Sequence, residues 1–140
     1  MQAWFRNLAL DAGLAFVGDA VFALGCGRMF EGEPGQFWAS LCRIKALPPE
    51  TLLYCAHEYT EANARFALHA DPDNAHLQSY AARVTALRAA GKPTVPTPLA
   101  RELDCNPFLR ADDPALQSRW GHSGDAVATF AALRAAKDSF

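Results

Sequence analysis

The pattern of apolar positions divides the chain into two halves. In the first, Leu14-Ala15-Phe16-Val17 is an apolar run closed by Gly18-Asp19, the signature of a buried strand ending in a turn. Ala3-Trp4-Phe5 reads as a further short strand, and Gly25-Cys26-Gly27-Arg28, with Glu31-Gly32 behind it, as a glycine-rich loop. Pro34 suits a first helical position. Phe37, Trp38, Leu41 and Ile44 then recur at helical spacing, and their stripe stops before Pro48-Pro49. Leu52-Leu53-Tyr54-Cys55 is a second buried strand, which delivers His57 just past its end.

Beyond about residue 58 the period becomes helical and the composition alanine-rich. Tyr59, Ala62, Phe66 and His69 are expected to line one helix face. Asp71-Pro72-Asp73 breaks that helix, and Asp73 is expected to cap the next. Leu77, Tyr80, Ala81, Val84 and Leu87 form its apolar face, and Gly91 closes it. Residues 92–98 read as a proline-punctuated connection. Short helices are expected over 99–104 and 114–119, and a last one, capped by Ser123, carries Val127, Phe130 and Leu133. Strands come first and helices after, which places the two halves in different layers of an α/β design.

Composition narrows the function classes. The chain has 140 residues, 51% hydrophobic and 20% charged, a globular balance. Thirteen basic residues against fifteen acidic ones give a formal charge of -2, so there is no basic field for a polyanion and nucleic acid is not an expected partner. No apolar run approaches the ~20 residues of a bilayer span, so no membrane partner is expected either. The first residues carry no basic leader, and Asp11 stands where a signal core would be, so a cytoplasmic location is expected. Cys26, Cys42, Cys55 and Cys105 form no CxxC pair and read as reduced thiols.

Two residues stand out by placement. Asp19 and His57 each end an apolar strand, where layered folds assemble their sites. A carboxylate has two oxygens, enough to bridge two cations ~3.5–4 Å apart, and an imidazole nitrogen suits zinc or iron. By spacing alone, a strand-end Gly-Asp is more often a turn and a lone histidine more often a structural residue.

The wording around them adds a resemblance. Gly18-Asp19-Ala20-Val21-Phe22 is followed by Gly25-Cys26-Gly27-Arg28-Met29-Phe30-Glu31-Gly32 and then by Tyr54-Cys55-Ala56-His57-Glu58-Tyr59-Thr60. Asn106-Pro107-Phe108-Leu109-Arg110 and a terminal Arg134-x-x-Lys137-Asp138-x-Phe140 complete the series. In this order the segments closely resemble the C-terminal part of glyoxalase II, the hydroxyacylglutathione hydrolases of the metallo-β-lactamase superfamily, over nearly the whole chain. The resemblance implies the C-terminal half of a metallo-β-lactamase αββα sandwich over residues 1–58, then an all-α substrate-binding domain over 59–140. It also implies that Asp19 bridges two divalent metal ions, zinc or alternatively iron or manganese, and that His57 ligates the second. Arg28 and Tyr59 would touch the glutathione part of the substrate, and Arg134 with Lys137 would hold its glycine carboxylate. The implied reaction is hydrolysis of S-lactoylglutathione to lactate and glutathione by a metal-activated hydroxide.

Some positions depart from the family pattern. Ala20 replaces a usual Thr, Ala56 a usual Gly, and Phe30 a position that is Tyr in some members. The four histidines, His57, His69, His76 and His122, include no HxHxDH segment. Most metal donors of the family would therefore lie outside this polypeptide, which is expected to bind catalytic metal poorly and to turn over slowly or not at all alone. Two further readings follow. The chain could hold glutathione conjugates without cleaving them. Or it could be a half-domain whose apolar face and open strand edges call for a homo-oligomer or a complementing N-terminal half.

Overall fold

The structure, a computed structural model, describes residues 9–11, 13–28 and 32–140. The strand expected at Ala3-Trp4-Phe5, and Phe30, lie outside them. Strands β1 (Ala9–Asp11), β2 (Leu14–Gly18), β5 (Leu52–Cys55) and β6 (Thr97–Pro98) make a sheet in the order β1-β2-β5-β6. β2 and β5 run parallel, while β1 and β6 pair antiparallel at the two edges. Ala15, Val17 and Leu53 face the core, whereas Phe16 is 44% exposed, so β2 is buried on one face only. The glycine-rich stretch is a correction to the loop reading. Val21–Phe22 (β3) pairs with Gly25–Cys26 (β4) in a small antiparallel hairpin.

The crossover between β2 and β5 carries α1 (Pro34–Lys45), with Pro34 at its first turn and Phe37, Trp38, Leu41 and Ile44 buried as the spacing requires. Five helices follow: α2 (Thr60–Ala70), α3 (Ala75–Ala89), α4 (Leu99–Cys105), α5 (Pro114–Arg119) and α6 (Ala126–Asp138). Two caps fall slightly beyond the expected residues. Asn74, not Asp73, accepts the Leu77 N–H at 3.2 Å, and Asp125, not Ser123, accepts the Ala128 N–H at 2.9 Å. In each case the capping oxygen must lie three residues before the amide it satisfies. Gly91 does end α3: at φ 71° it lets Lys92 N–H reach Leu87 O at 2.8 Å, a geometry that favours glycine.

The second half is not purely helical, since β6 lies beside Leu52 and Leu53. Pro98 has no N–H to donate, which suits an edge strand. The larger core cluster likewise draws on both sides of residue 58. Phe37 stacks on Phe130 at 5.3 Å and Phe66 on Phe108 at 5.8 Å between ring centroids, with Ala15, Val17, Leu53 and Leu99 in the same cluster. Burying each such large side chain stabilises the fold by about 1.5–3 kcal/mol. A second cluster gathers Leu77, Tyr80, Ala81 and Val84 of α3 around Leu24, the hairpin tip. Among the described residues no helix is long and apolar enough to cross a membrane.

Candidate functional site

The site begins with a turn. Gly18 has φ 53°, a conformation favouring glycine, and Ala20 N–H closes the turn onto Val17 O at 3.0 Å. Asp19 thus projects from the tip of β2. Next to it, Ala56 N–H donates to Gly18 O at 3.0 Å and brings the end of β5 alongside. Ala56 is not among the positive-φ residues, so the missing glycine is not required there. The two tips meet: His57 Nε2 lies 3.3 Å from Asp19 Oδ1. Both side chains are at least half exposed, so the contact itself is worth little to stability and leaves both groups reachable from solvent.

Aromatic rings orient the imidazole. Tyr59 stacks on His57 at 4.8 Å and 15°, and Phe22 meets Tyr59 edge-on at 5.1 Å. Between the two rings, Glu58 turns the other way. Its carboxylate accepts the Thr94 N–H at 2.6 Å and the Thr94 hydroxyl at 2.5 Å. Burial alone would raise the Glu58 pKa. The hydrogen bonds from Thr94 and Thr60 and the Arg88 guanidinium outweigh it and hold the carboxyl below its ordinary range.

The opposite wall is cationic. Arg134 is not a solvated helix-face residue: its side chain is 5% exposed. Its Nη1 donates to Cys26 O at 2.8 Å and Gly27 O at 3.3 Å, and its Nη2 to Asp138 Oδ1 at 2.8 Å. Among the described residues the Arg134 Nε has no partner. Lys137, one turn on, has its pKa lowered by burial and then by the nearby Arg134, Arg28 and Arg65 guanidiniums. Arg28 is exposed and lies 3.9 Å from Asp138 Oδ1. Cys26 stays a neutral thiol, because burial pushes it up to about 11 against the pull of Arg134.

Asp19, His57, Arg28, Tyr59, Arg134 and Lys137 all line one cavity of about 500 Å³. Phe22, Cys26 and Asn63 share that lining, and sequence reasoning assigned none of them there. The signal for Asn63 was present but faint: a polar residue at a core-facing helical position. The expected face Tyr59, Ala62, Phe66, His69 is corrected by it, since α2 buries Thr60, Asn63, Ala64, Phe66, Ala67 and Ala70. The reason is that the Asn63 amide donates to Ala23 O at 3.2 Å, which makes a polar side chain affordable inside. His69 and His76 are exposed and stand apart from the cavity.

Asp19 and His57 offer two oxygens and one ring nitrogen, donors that suit a divalent cation. Among the described residues no cluster of three or more His, Cys, Asp or Glu forms around them. The pair fits as part of a metal centre, with further donors needed from elsewhere. The cavity therefore has a cation-seeking rim at one end and an anion-seeking wall at the other. Such a polarity suits a ligand with carboxylates at one end and a reacting group at the other.

A family model described as "Hydroxyacylglutathione hydrolase C-terminus" matches residues 58–140. Proteins named hydroxyacylglutathione hydrolase are 72% identical in Erythrobacter litoralis over 131 residues and 62% in Maricaulis maris over 129. A protein of that name in Rhodobacter capsulatus is 53% identical over 140 residues, 99% of this chain. The chain spans about half the length of these relatives: 51%, 50% and 54% respectively.

Proposed function

This chain belongs to the hydroxyacylglutathione hydrolase family, and on that premise we propose that it is the C-terminal portion of a cytoplasmic glyoxalase II. Its substrate would be S-lactoylglutathione, hydrolysed to lactate and glutathione. In this reading residues 1–58 complete a metallo-β-lactamase sandwich and 59–140 carry the substrate-binding helices. The observation that carries it is the convergence of Asp19, His57, Arg28, Tyr59, Arg134 and Lys137 on one cavity.

Each residue has a physical task. Arg134 and Lys137 receive the glycine carboxylate of glutathione through charge-assisted hydrogen bonds. A carboxylate there would relieve the crowding of cations around Lys137. Arg28 and Tyr59 hold the rest of the tripeptide, directing the thioester toward Asp19 and His57. These two would hold the metal ions, zinc or else iron or manganese. When bound, the ions would lower the pKa of water and polarise the acyl carbonyl. Overall, water adds across the acyl C–S bond, and glutathione leaves as the thiol.

Two donors are too few for a dinuclear centre, so the chain alone turns over poorly. A titration calorimeter and an activity assay test both halves of this reading. Glutathione should bind the chain, and Lys137→Ala should weaken it about tenfold. S-lactoylglutathione with zinc should be hydrolysed rapidly only when the N-terminal half of a relative is supplied. No glutathione binding would overturn the substrate assignment, and ordinary turnover by the chain alone would overturn its dependence on a partner. One observation favours a second reading, a module that holds glutathione conjugates without cleaving them: the cationic wall is complete while the metal donors number two.

A further inference from the structure

Between Asp19 and Arg28 the chain folds back in a hairpin with little sheet of its own, each strand having two residues. Side chains from the second half take up the polar backbone of its tip. Leu24 N–H donates to Glu102 Oε1 at 2.8 Å, and the Asn63 amide reaches Ala23 O at 3.2 Å. Asn106 Nδ2 reaches Phe22 O at 3.3 Å and Gly25 O at 3.0 Å, as well as Glu102 Oε1 at 3.0 Å. Thr97 Oγ1 donates to the other oxygen, Glu102 Oε2, at 2.9 Å. Glu102 and Asn106 are both fully buried.

Leu24 sits at φ 61°, the only non-glycine residue among those described with a positive φ. A leucine rarely adopts that conformation, which persists only where its surroundings over-determine it. Here they do: the side chain is fully buried among Leu77, Tyr80 and Val84, and the N–H is held by a buried carboxylate. Such a clamp holds the tip in a conformation the hairpin would not keep by itself. The arms of that hairpin lead directly to Asp19 on one side and Arg28 on the other.

We propose that Glu102 and Asn106 are positioning residues, which set the separation between the metal-ligand rim and the cationic wall by fixing this hairpin. The inference deepens the reading of the cavity given above and rests on it for the ligand, though not for the geometry. What matters is the acceptor at Oε1, which serves two donors, more than the charge. Glu102→Gln can keep that oxygen in place and turn its NH2 toward Thr97 Oγ1, a hydroxyl able to accept. Glu102→Met fills the space and removes the acceptor.

Amide NMR on the full chain, with glutathione calorimetry beside it, tests the clamp. In the unsubstituted chain the Leu24 amide should exchange as slowly as those in the middle of α3. Glu102→Met should shift the Leu24, Gly27 and Arg28 amides, leave those of Phe130 and Leu133 in place, and weaken glutathione about tenfold or more. Glu102→Gln should keep the shifts and stay within about threefold in affinity. If Glu102→Met does not fold, Asn106→Ser makes the same measurement from the other side of the network. A fast-exchanging Leu24 amide in the unsubstituted chain, or unmoved Gly27 and Arg28 amides in Glu102→Met or Asn106→Ser, would overturn the proposal. Should the unsubstituted chain fail to bind glutathione, the ligand assignment falls, and the exchange and shift data alone judge the clamp.

Discussion

A methyl group added at Gly25 would lie 2.6 Å from Asn63 Nδ2 and 2.8 Å from Asn63 Cγ, closer than real side chains approach. Gly25→Ala should therefore cost about 1–3 kcal/mol by overpacking, read as a lower denaturant midpoint at unchanged slope. The clash is with one side chain, so Asn63→Ala and Gly25→Ala together should cost less than the sum of the two alone. Strict additivity would sink this account. At this scale the sequence was partly readable. Asp19 and His57 could be singled out because a strand tip is a local pattern. The setting of Arg134 could not: it is buried by Cys26 O and Gly27 O, carbonyls more than a hundred positions away, and local spacing alone reads it as solvated. Asn63 was hidden for the same reason, since polarity alone sends it to water.

Elements were more legible than residues, because burial of one face is periodic. The four core positions of α1 and the buried face of α3 follow their spacing. β6 was not readable, since two residues hold no period and only the neighbouring Leu52 and Leu53 make them a strand. At this scale the loop carrying His57 and Tyr59 is tied to the 92–98 connection through Glu58 and Thr94. A carboxyl held below its unfolded pKa contributes stability that is present above the unfolded value and lost as pH falls through the folded one. Glu58→Gln should thus destabilise by about 1–2 kcal/mol at neutral pH, with the difference shrinking in strongly acidic buffer. Chemical denaturation at both pH values measures it, and a pH-independent difference would refute the assignment.

For the molecule as a whole, the sheet face left uncovered among the described residues bears on behaviour in solution. Phe16 stacks on Tyr54 at 5.0 Å, and Leu14 pairs with Leu52 beside them, on the side away from Ala15, Val17 and Leu53. Such an apolar face seeks cover. The isolated chain should self-associate with rising concentration in sedimentation velocity, and Phe16→Lys should suppress that association. A parent chain that stays monomeric over the whole range would contradict the expectation. The core raises a different matter for anyone assembling chimaeras from this family. Phe130 of the last helix rests on Phe37, so a graft of the helices alone, cut at residue 58, would leave behind the ring its final helix leans on. The transplantable piece has to begin upstream of Pro34, and a recipient scaffold would need to accommodate that helix as well.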